Sequence, residues 1–193
     1  MARIGEYIAN DAFLSVPEAQ DETIYEPPTS FEFAGHPRRV ILQREHHGRD
    51  ILVHLDLDAR SDPRPVTTEG AVKAYTPLKH GNWDVLLVTS SSHIDSSLVQ
   101  IIDGTSGVSK PIFSATKYGA SFGLSRDVWS DLYFRGSDGL EIHAFIIRPS
   151  NFDPTRKYPW VLMPHGGPVS AWTDSWSTRV SQTATKDATL LIF

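Results

Sequence analysis

Cysteine is absent from all 193 residues of the chain. Its absence excludes disulfide bonds, a thiolate nucleophile and zinc sites built from cysteine. It leaves the compartment open, because some secreted domains also lack disulfide bonds. Long apolar runs are missing as well, since no stretch approaches the roughly 20 residues that cross a bilayer, and the first ten residues lack the pattern of a secretory signal. We therefore predict a soluble chain without a membrane partner, whose localisation the sequence leaves open.

An excess of positive charge is also missing. The formal net charge is −5, and the basic residues are scattered along the chain. Nucleic-acid phosphates require a concentrated positive face, so nucleic acid is not expected as a partner. The hydrophobic fraction of 40% places the chain among globular proteins. Nothing in the sequence indicates a cofactor.

Short apolar runs separated by turn residues fill the region from residue 31 to about residue 135. Residues 40–43 and 51–56 flank a polar turn around Gly48, and residues 85–89 and 98–102 flank a serine-rich segment. This pattern predicts two antiparallel hairpins in an all-β region. The spacing fits the blade period of a β-propeller, although no signature dipeptide repeats.

The character of the sequence changes near residue 131. Residues 132–135 and 141–148 alternate about Asp138-Gly139, which predicts a hairpin whose two central residues both have positive φ. Residues 160–163 are apolar throughout, as in a strand covered on both faces. A helix is predicted over residues 173–186 and a further strand over residues 190–193.

The segment His165, Gly166, Gly167 and Pro168 follows the apolar run directly. Backbone N–H groups at a strand end are free of the sheet ladder, and a glycine without Cβ lets a substrate carbonyl approach them closely. The segment is thus a candidate oxyanion loop. We expect His165 to orient the loop by a side-chain hydrogen bond, with Gly166 and Gly167 supplying donors and Gly167 the better one.

Several motifs arrive in one order between residues 132 and 179, and together they resemble the prolyl oligopeptidase family of serine peptidases. The resemblance is strongest to its dipeptidyl-peptidase and acylaminoacyl-peptidase branch. A run of spaced motifs is far more specific than a lone His-Gly-Gly. The motifs are Asp138-Gly139, Asn151-Phe152-Asp153-Pro154, Lys157-Tyr158-Pro159, His165-Gly166-Gly167-Pro168 and Trp176-Ser177-Thr178-Arg179.

The resemblance implies a β plus α/β fold, in which the end of a β-propeller (residues 1–130) precedes the truncated start of an α/β-hydrolase domain (residues 131–193). It implies a serine peptidase that cleaves peptide substrates by acyl transfer. The family's nucleophile, acid and base lie after the oxyanion loop, so we expect no catalytic triad in this chain, which would be a fragment that is inactive alone. A non-catalytic β-rich interaction module is the alternative.

Ser121 lies in Gly119-Ala120-Ser121-Phe122-Gly123, which matches the nucleophile pattern G-x-S-x-G. A nucleophile elbow needs a buried strand before the serine and a helix after it, and the flanking residues suit neither. The segment also precedes the oxyanion loop, whereas the nucleophile of these hydrolases follows it. We predict a glycine-bracketed turn without a catalytic role.

The remaining candidates have structural interpretations. His46, His47 and His54 lie on one predicted hairpin, but no further ligand falls at a recognisable metal spacing, so a solvated turn is favoured. Carboxylates in turns commonly accept backbone N–H groups, and this role is predicted for two aspartates in place of that of a triad acid. Three tryptophans are predicted to pack in a core or at a domain interface. These residues are Asp153, Asp174, Trp160, Trp172 and Trp176.

Overall fold

A computed structural model describes residues 28–33, 39–58, 63–78, 85–167, 170–180 and 189–192. Over these residues the chain consists mostly of β-strands, which form two sheets. Helical turns are confined, within these ranges, to two 3-10 helices, Ala120–Phe122 and Arg126–Val128, and to residues 178–180. In this part of the chain, no helix combines the length and the apolarity needed to span a membrane.

The first sheet has eight strands, arranged as two consecutive antiparallel meanders. The first meander contains β1 (Ser30–Phe33), β2 (Arg39–His46), β3 (Arg49–Asp56) and β4 (Arg64–Pro65). The second contains β5 (Ala71–Pro77), β6 (Val85–Ser91), β7 (Leu98–Asp103) and β8 (Ser109–Ser114). A parallel bridge between Asp50 and Ala71 joins them. Both predicted hairpins are confirmed, as β2 with β3 and β6 with β7.

A two-residue turn connects β2 to β3. His47 and Gly48 both have positive φ, of 48° and 67°, as in a type I′ turn, whose twist matches that of the flanking strands. The Gly48 N–H donates to Glu45 Oε1 at 2.6 Å. A Cβ at Gly48 would lie 2.7 Å from the ring of Phe145 in the second sheet. Both the backbone conformation and the lack of space therefore require glycine here.

Side chains on both faces of the β2–β3 hairpin are buried. Because successive residues of a strand point to opposite faces, Ile41 and Leu52 lie in one cluster, and Leu42 and Val53 lie in another. The first cluster draws side chains from both meanders, so its burial holds the two together. Its other members are Val66, Val72, Leu86, Val88 and Ile102.

The second sheet opens with the predicted hairpin, formed by β9 (Trp129–Arg135) and β10 (Glu141–Ile147). Its turn differs from the prediction, because Gly139 has a positive φ, of 84°, and Asp138 does not. The Gly139 N–H donates to the Gly136 carbonyl, and Asp138 Oδ1 accepts from the Leu140 N–H. This side-chain hydrogen bond stabilises the turn with a single left-handed residue.

The sheet continues with β11 (Trp160–Met163) and β12 (Thr189–Ile192), which are parallel to each other. β12 lies between β11 and β10 and is antiparallel to β10. Both predicted strands are confirmed, although Phe193 lies outside the described residues. Parallel strands require a crossover connection. Here the connection contains the His165–Gly167 segment and the helical residues 178–180.

Two predictions for this region are wrong. The helix predicted from residue 173 begins at residue 178, where Ser177 Oγ accepts the N–H of Val180 as an N-cap; residues 181–186 lie outside the described part. The second wrong prediction is coverage of β11 on both faces. Among the strands that the structure describes, β11 lies at the edge of its sheet, and Trp160 and Leu162 are 62% and 60% exposed.

Candidate active-site loop

The candidate oxyanion loop begins two residues after the end of β11. His165, Gly166 and Gly167 are exposed, and Gly167 has a φ of 82°. Among the described residues, no atom beyond the chain neighbours lies within 4 Å of a Cβ built at Gly166 or Gly167. The described structure therefore leaves the Cβ side of both glycines open. Pro168 lies outside the described residues, and the hydrogen bond predicted for His165 stays a prediction.

The position of the loop suits ligand binding. It leaves the carboxyl end of β11, and the chain then crosses to β12, which lies on the inner side of β11. In sheets with parallel strands, ligands bind outside the carboxyl ends where neighbouring connections diverge. Backbone N–H groups at such a site are free to stabilise a developing negative charge.

Asp174, seven residues after Gly167, anchors the loop to the first sheet. Its N–H donates to the Gly48 carbonyl at 2.6 Å. Its carboxylate accepts from the Gly70 N–H at 3.0 Å and the His93 N–H at 3.1 Å. Arg126 donates to both carboxylate oxygens, at 3.1 and 2.5 Å. The prediction that Asp174 accepts backbone N–H groups is confirmed. The N–H groups belong to distant segments of the chain, and the carboxylate also accepts from a guanidinium.

The electrostatics of this anchor favour an ionised carboxylate. Asp174 is fully buried. Burial raises its pKa, but the hydrogen bonds and charge of Arg126, with the field and N–H of His93, outweigh this and hold the pKa below its usual value. Arg126 also lies 3.4 Å from Glu69. The two carboxylates raise the pKa of Arg126 against the opposing effect of its burial.

His93 lies beside this ion pair in an aromatic setting. Its ring stacks on Trp129, with centroids 3.9 Å apart, and meets Phe145 edge-on at 6.0 Å. Burial lowers the pKa of His93 to about 4, although Asp174 opposes the shift. The imidazole is therefore neutral at pH 7. Sequence reasoning missed both His93 and Arg126, because neither belongs to a motif.

Acid is expected to destabilise the fold between about pH 6.5 and pH 4. In the unfolded chain His93 has its ordinary pKa of 6.5, whereas the folded value is about 4. As the pH falls, the unfolded state binds the proton first, so stability is lost below 6.5 and the loss levels off near 4. The full loss is on the order of 3 kcal/mol. Asp174, whose pKa is depressed, adds a further loss only at lower pH.

Urea unfolding at a series of pH values measures this loss. The matched variant is His93→Phe, which keeps a ring against Trp129 but does not titrate. Its midpoint should change much less between about pH 6.5 and pH 4 than that of the wild type. Equal pH profiles for the two proteins would contradict the assignment to His93.

A second ion pair joins the two sheets. Arg49 donates to both oxygens of Asp131 at 2.9 Å, and His143 Nε2 lies 2.8 Å from Asp131 Oδ1. Burial raises the pKa of Asp131, but Arg49 and His143 together lower it below its usual value. The Arg49 guanidinium also lies over the Phe145 ring, 5.4 Å from its centroid. The contact fixes the β2–β3 turn against β9 and β10.

The three histidines considered for a metal site do not form one. The rings of His46 and His47 are 4.2 Å apart, whereas His54 lies within β3, opposite Ile41. His47 meets His143 at 5.8 Å. Over the residues that the structure describes, no group of three or more His, Cys, Asp or Glu side chains could hold a metal ion.

Ser121 lies in the glycine-bracketed turn that was predicted. Gly119 and Gly123 have φ values of 89° and 64° and flank a single 3-10 turn, Ala120–Phe122. Ser121 is exposed, and its N–H donates to the Thr116 carbonyl. The turn is preceded by other turn residues and is followed by no helix suited to a nucleophile elbow.

The predictions for the tryptophans and for Asp153 are confirmed, except that for Trp160. Trp172 and Trp176 pack against the cluster around Phe145, as expected for core residues. The same prediction is wrong for Trp160, which lies exposed on the edge strand. Asp153 caps a turn as predicted, because its Oδ1 accepts from the Thr155 N–H at 2.9 Å.

The chain has relatives in both sequence and structure. No protein-family model matches the chain. It is 35% identical over 155 residues to the probable dipeptidyl-peptidase 5 of Aspergillus clavatus, which covers 79% of this chain and 21% of that protein. It is 30% identical over 169 residues to the dipeptidyl-peptidase 5 of Schizosaccharomyces pombe, covering 86% and 23%. The chain therefore spans about a fifth of the length of these curated relatives.

Solved structures share the fold. The AtxE2 isopeptidase superposes with a TM-score of 0.66 at 14% identity, over 90% of this chain and 26% of that one. The acylaminoacyl peptidase of Pyrococcus horikoshii gives 0.63 at 14% identity, over 89% and 25%. At such low identity the likeness concerns the fold alone.

Proposed function

Because this chain belongs to the prolyl oligopeptidase family of serine peptidases, we propose that it supplies the oxyanion loop of a peptidase of the dipeptidyl- or acylaminoacyl-peptidase type. The observation that carries the proposal is the exposed, left-handed Gly167 at the carboxyl end of β11, next to the unhindered Gly166. In the tetrahedral intermediate of acyl transfer, their N–H groups would donate to the oxyanion. The substrate would be a peptide.

The domain organisation predicted from the sequence is part of this proposal. The two antiparallel meanders correspond to the last blades of a β-propeller, whose blades are four-stranded antiparallel sheets. The mixed sheet with its parallel β11–β12 pair corresponds to the first strands of an α/β-hydrolase domain. We place the boundary near residue 130, next to the start of β9.

The 193-residue chain by itself is proposed to lack peptidase activity. An oxyanion loop assists a nucleophile that a base activates, and the three groups of the triad act as one unit. Ser121, which has the nucleophile's sequence pattern, is held in an exposed 3-10 turn. The relatives favour the peptidase over a non-catalytic interaction module.

The test begins with the protein in its source cells. An antibody against residues 31–179 and a covalent active-site serine probe should detect the same band, of a mass well above 21.5 kDa. A band near 21.5 kDa without probe label would overturn the peptidase proposal for the natural product. Hydrolysis by the purified 193-residue chain that is lost on Ser121→Ala would overturn the assignment of Ser121.

Gly167→Ala in the larger, probe-reactive protein, assayed without the probe, is expected to lower kcat about 10²–10³-fold, the effect of losing one oxyanion donor. An alanine at a φ of 82° is strained. Its Cβ would also occupy the space through which the substrate carbonyl approaches. Steady-state kinetics on dipeptidyl and acylaminoacyl substrates measure the loss. Gly139→Ala is the matched control, since its φ of 84° is similar and it lies in the β9–β10 turn. Equal kcat values for the two variants would contradict the assignment of Gly167 as an oxyanion donor.

A further inference from the structure

The space beside Gly166 and Gly167, on the side where a Cβ would lie, is open in the described structure. No atom beyond their chain neighbours lies within 4 Å of a Cβ built at either residue. Two structured features flank the segment and can set its conformation. One end is β11, paired along its length with β12. The other is Asp174, which can lie at most about 25 Å along the chain from Gly167.

The hydrogen bonds of Asp174 in the described structure connect it to groups outside the second sheet. Its five hydrogen bonds reach the β2–β3 turn at Gly48, the segment before β5 at Gly70, the β6–β7 loop at His93, and Arg126. Three of these groups belong to different connections of the first sheet. These hydrogen bonds therefore fix Asp174 relative to the first sheet.

We propose that Asp174 is a positioning residue for the oxyanion donors, through which the first sheet sets the geometry of Gly166 and Gly167. The inference rests on the proposed role of this loop. A displacement of about 1 Å at a positioning group can lower a rate 10²-fold, so such an anchor affects the chemistry without touching the substrate. Asp174 is too deeply buried to reach the substrate itself.

The hydrogen-bond geometry of the Asp174 carboxylate supports a positioning role over that of a simple ion pair. Each carboxylate oxygen accepts one backbone N–H and one Arg126 nitrogen, so both position and rotation of the carboxylate are fixed. The Asp174 N–H is bonded as well, which fixes the main chain at this residue. The loop thus has one end that is fixed by hydrogen bonds seven residues after Gly167.

Backbone relaxation by NMR on the 193-residue chain tests the proposal without requiring activity. In the wild type, the amide order parameters of Gly166 and Gly167 should be about 0.85, the value of a rigid backbone. In Asp174→Asn the same two order parameters should fall below about 0.6, the value of a flexible backbone. The amide replaces one acceptor oxygen by a donor, so it cannot accept all four hydrogen bonds. Asp127→Asn, at an exposed carboxylate next to Arg126, should leave the glycine order parameters unchanged.

Unchanged glycine order parameters in Asp174→Asn would overturn the proposal, provided that the amide resonances of Gly70 and His93 shift and so show that the anchor is broken. If Asp174→Asn does not fold, Arg126→Lys replaces it, because lysine keeps the charge but loses the two-pronged geometry. It should lower the same two order parameters by less. In that variant too, rigid glycines beside shifted Gly70 and His93 resonances would overturn the proposal.

Kinetics of the larger, probe-reactive protein, measured without the probe, separate this inference from the proposed function. There, Asp174→Asn should lower kcat while KM stays within about twofold, because only the transition-state contact is disturbed. A protein that takes no serine probe even in its wild-type form would refute the proposed function and leave the NMR result standing. Wild-type kcat in Asp174→Asn would refute the positioning role alone.

Discussion

Asp174→Ala is expected to lower the free energy of unfolding by about 3–5 kcal/mol, the cost of removing one partner of a buried ion pair. The carboxylate is fully buried and accepts four hydrogen bonds. Without it the N–H groups of Gly70 and His93 lose their acceptor in a buried site, and Arg126 loses both hydrogen bonds to the carboxylate, with Glu69 3.4 Å away. The loss is a large part of the stability of a domain of this size.

Urea unfolding followed by tryptophan fluorescence measures this change, because Trp129, Trp172 and Trp176 lie in the adjoining cluster. Asp127→Ala removes an exposed carboxylate from the same neighbourhood and should shift stability by no more than about 0.5 kcal/mol. Asp174→Asn, which keeps one acceptor oxygen, should fall between the two. A loss below about 1 kcal/mol for Asp174→Ala would mean that water satisfies these donors.

Gly48→Ala is expected to destabilise the fold by about 2–5 kcal/mol, the sum of two costs. A residue with a Cβ at a φ of 67° costs roughly 1–2 kcal/mol. The new Cβ would also lie 2.7 Å from the Phe145 ring and 2.9 Å from the Trp172 carbonyl, and overpacking costs roughly 1–3 kcal/mol. Phe145 is buried and cannot move freely, since Trp129 and Arg49 contact its ring.

Gly139→Ala separates the two costs. Its φ is 84°, but among the described residues nothing lies within 4 Å of its Cβ position, so only the backbone cost should appear. Thermal unfolding of both variants at one pH gives the comparison. If Gly48→Ala were no more destabilising than Gly139→Ala, the close packing of the β2–β3 turn on the second sheet would be refuted.

The local features of this chain could be predicted from its sequence. Short apolar runs between turn residues located β2, β3, β6 and β7, and alternation of apolar and polar residues located β9 and β10. The glycines at positions 48, 119, 123 and 139 marked turns, since positive φ costs glycine little. Trp160–Met163 was identified as a strand by its apolar run. All these signals act over a few neighbouring residues.

The anchor at Asp174 could not be predicted in the same way. Its partners lie 48, 81 and 104 residues away, at Arg126, His93 and Gly70. None of them belongs to a local pattern, and an Asp within a predicted helix region gave no sign of burial. The same holds for Arg49 and Asp131, 82 residues apart, and for the exposure of Trp160, which depends on what packs over β11.

The amino-acid sequence by itself determined where the strands and tight turns lie, and it determined that a His-Gly-Gly segment follows β11. These features depend on short apolar runs, on side-chain alternation and on the backbone freedom of glycine. All three are properties of residues that are neighbours in the sequence. Only the tertiary structure decided that the two sheets meet at Gly48 and Phe145, and that Asp174 binds Arg126 and the first sheet. A buried charge is tolerated only where distant donors converge on it, and that convergence exists only in the folded chain.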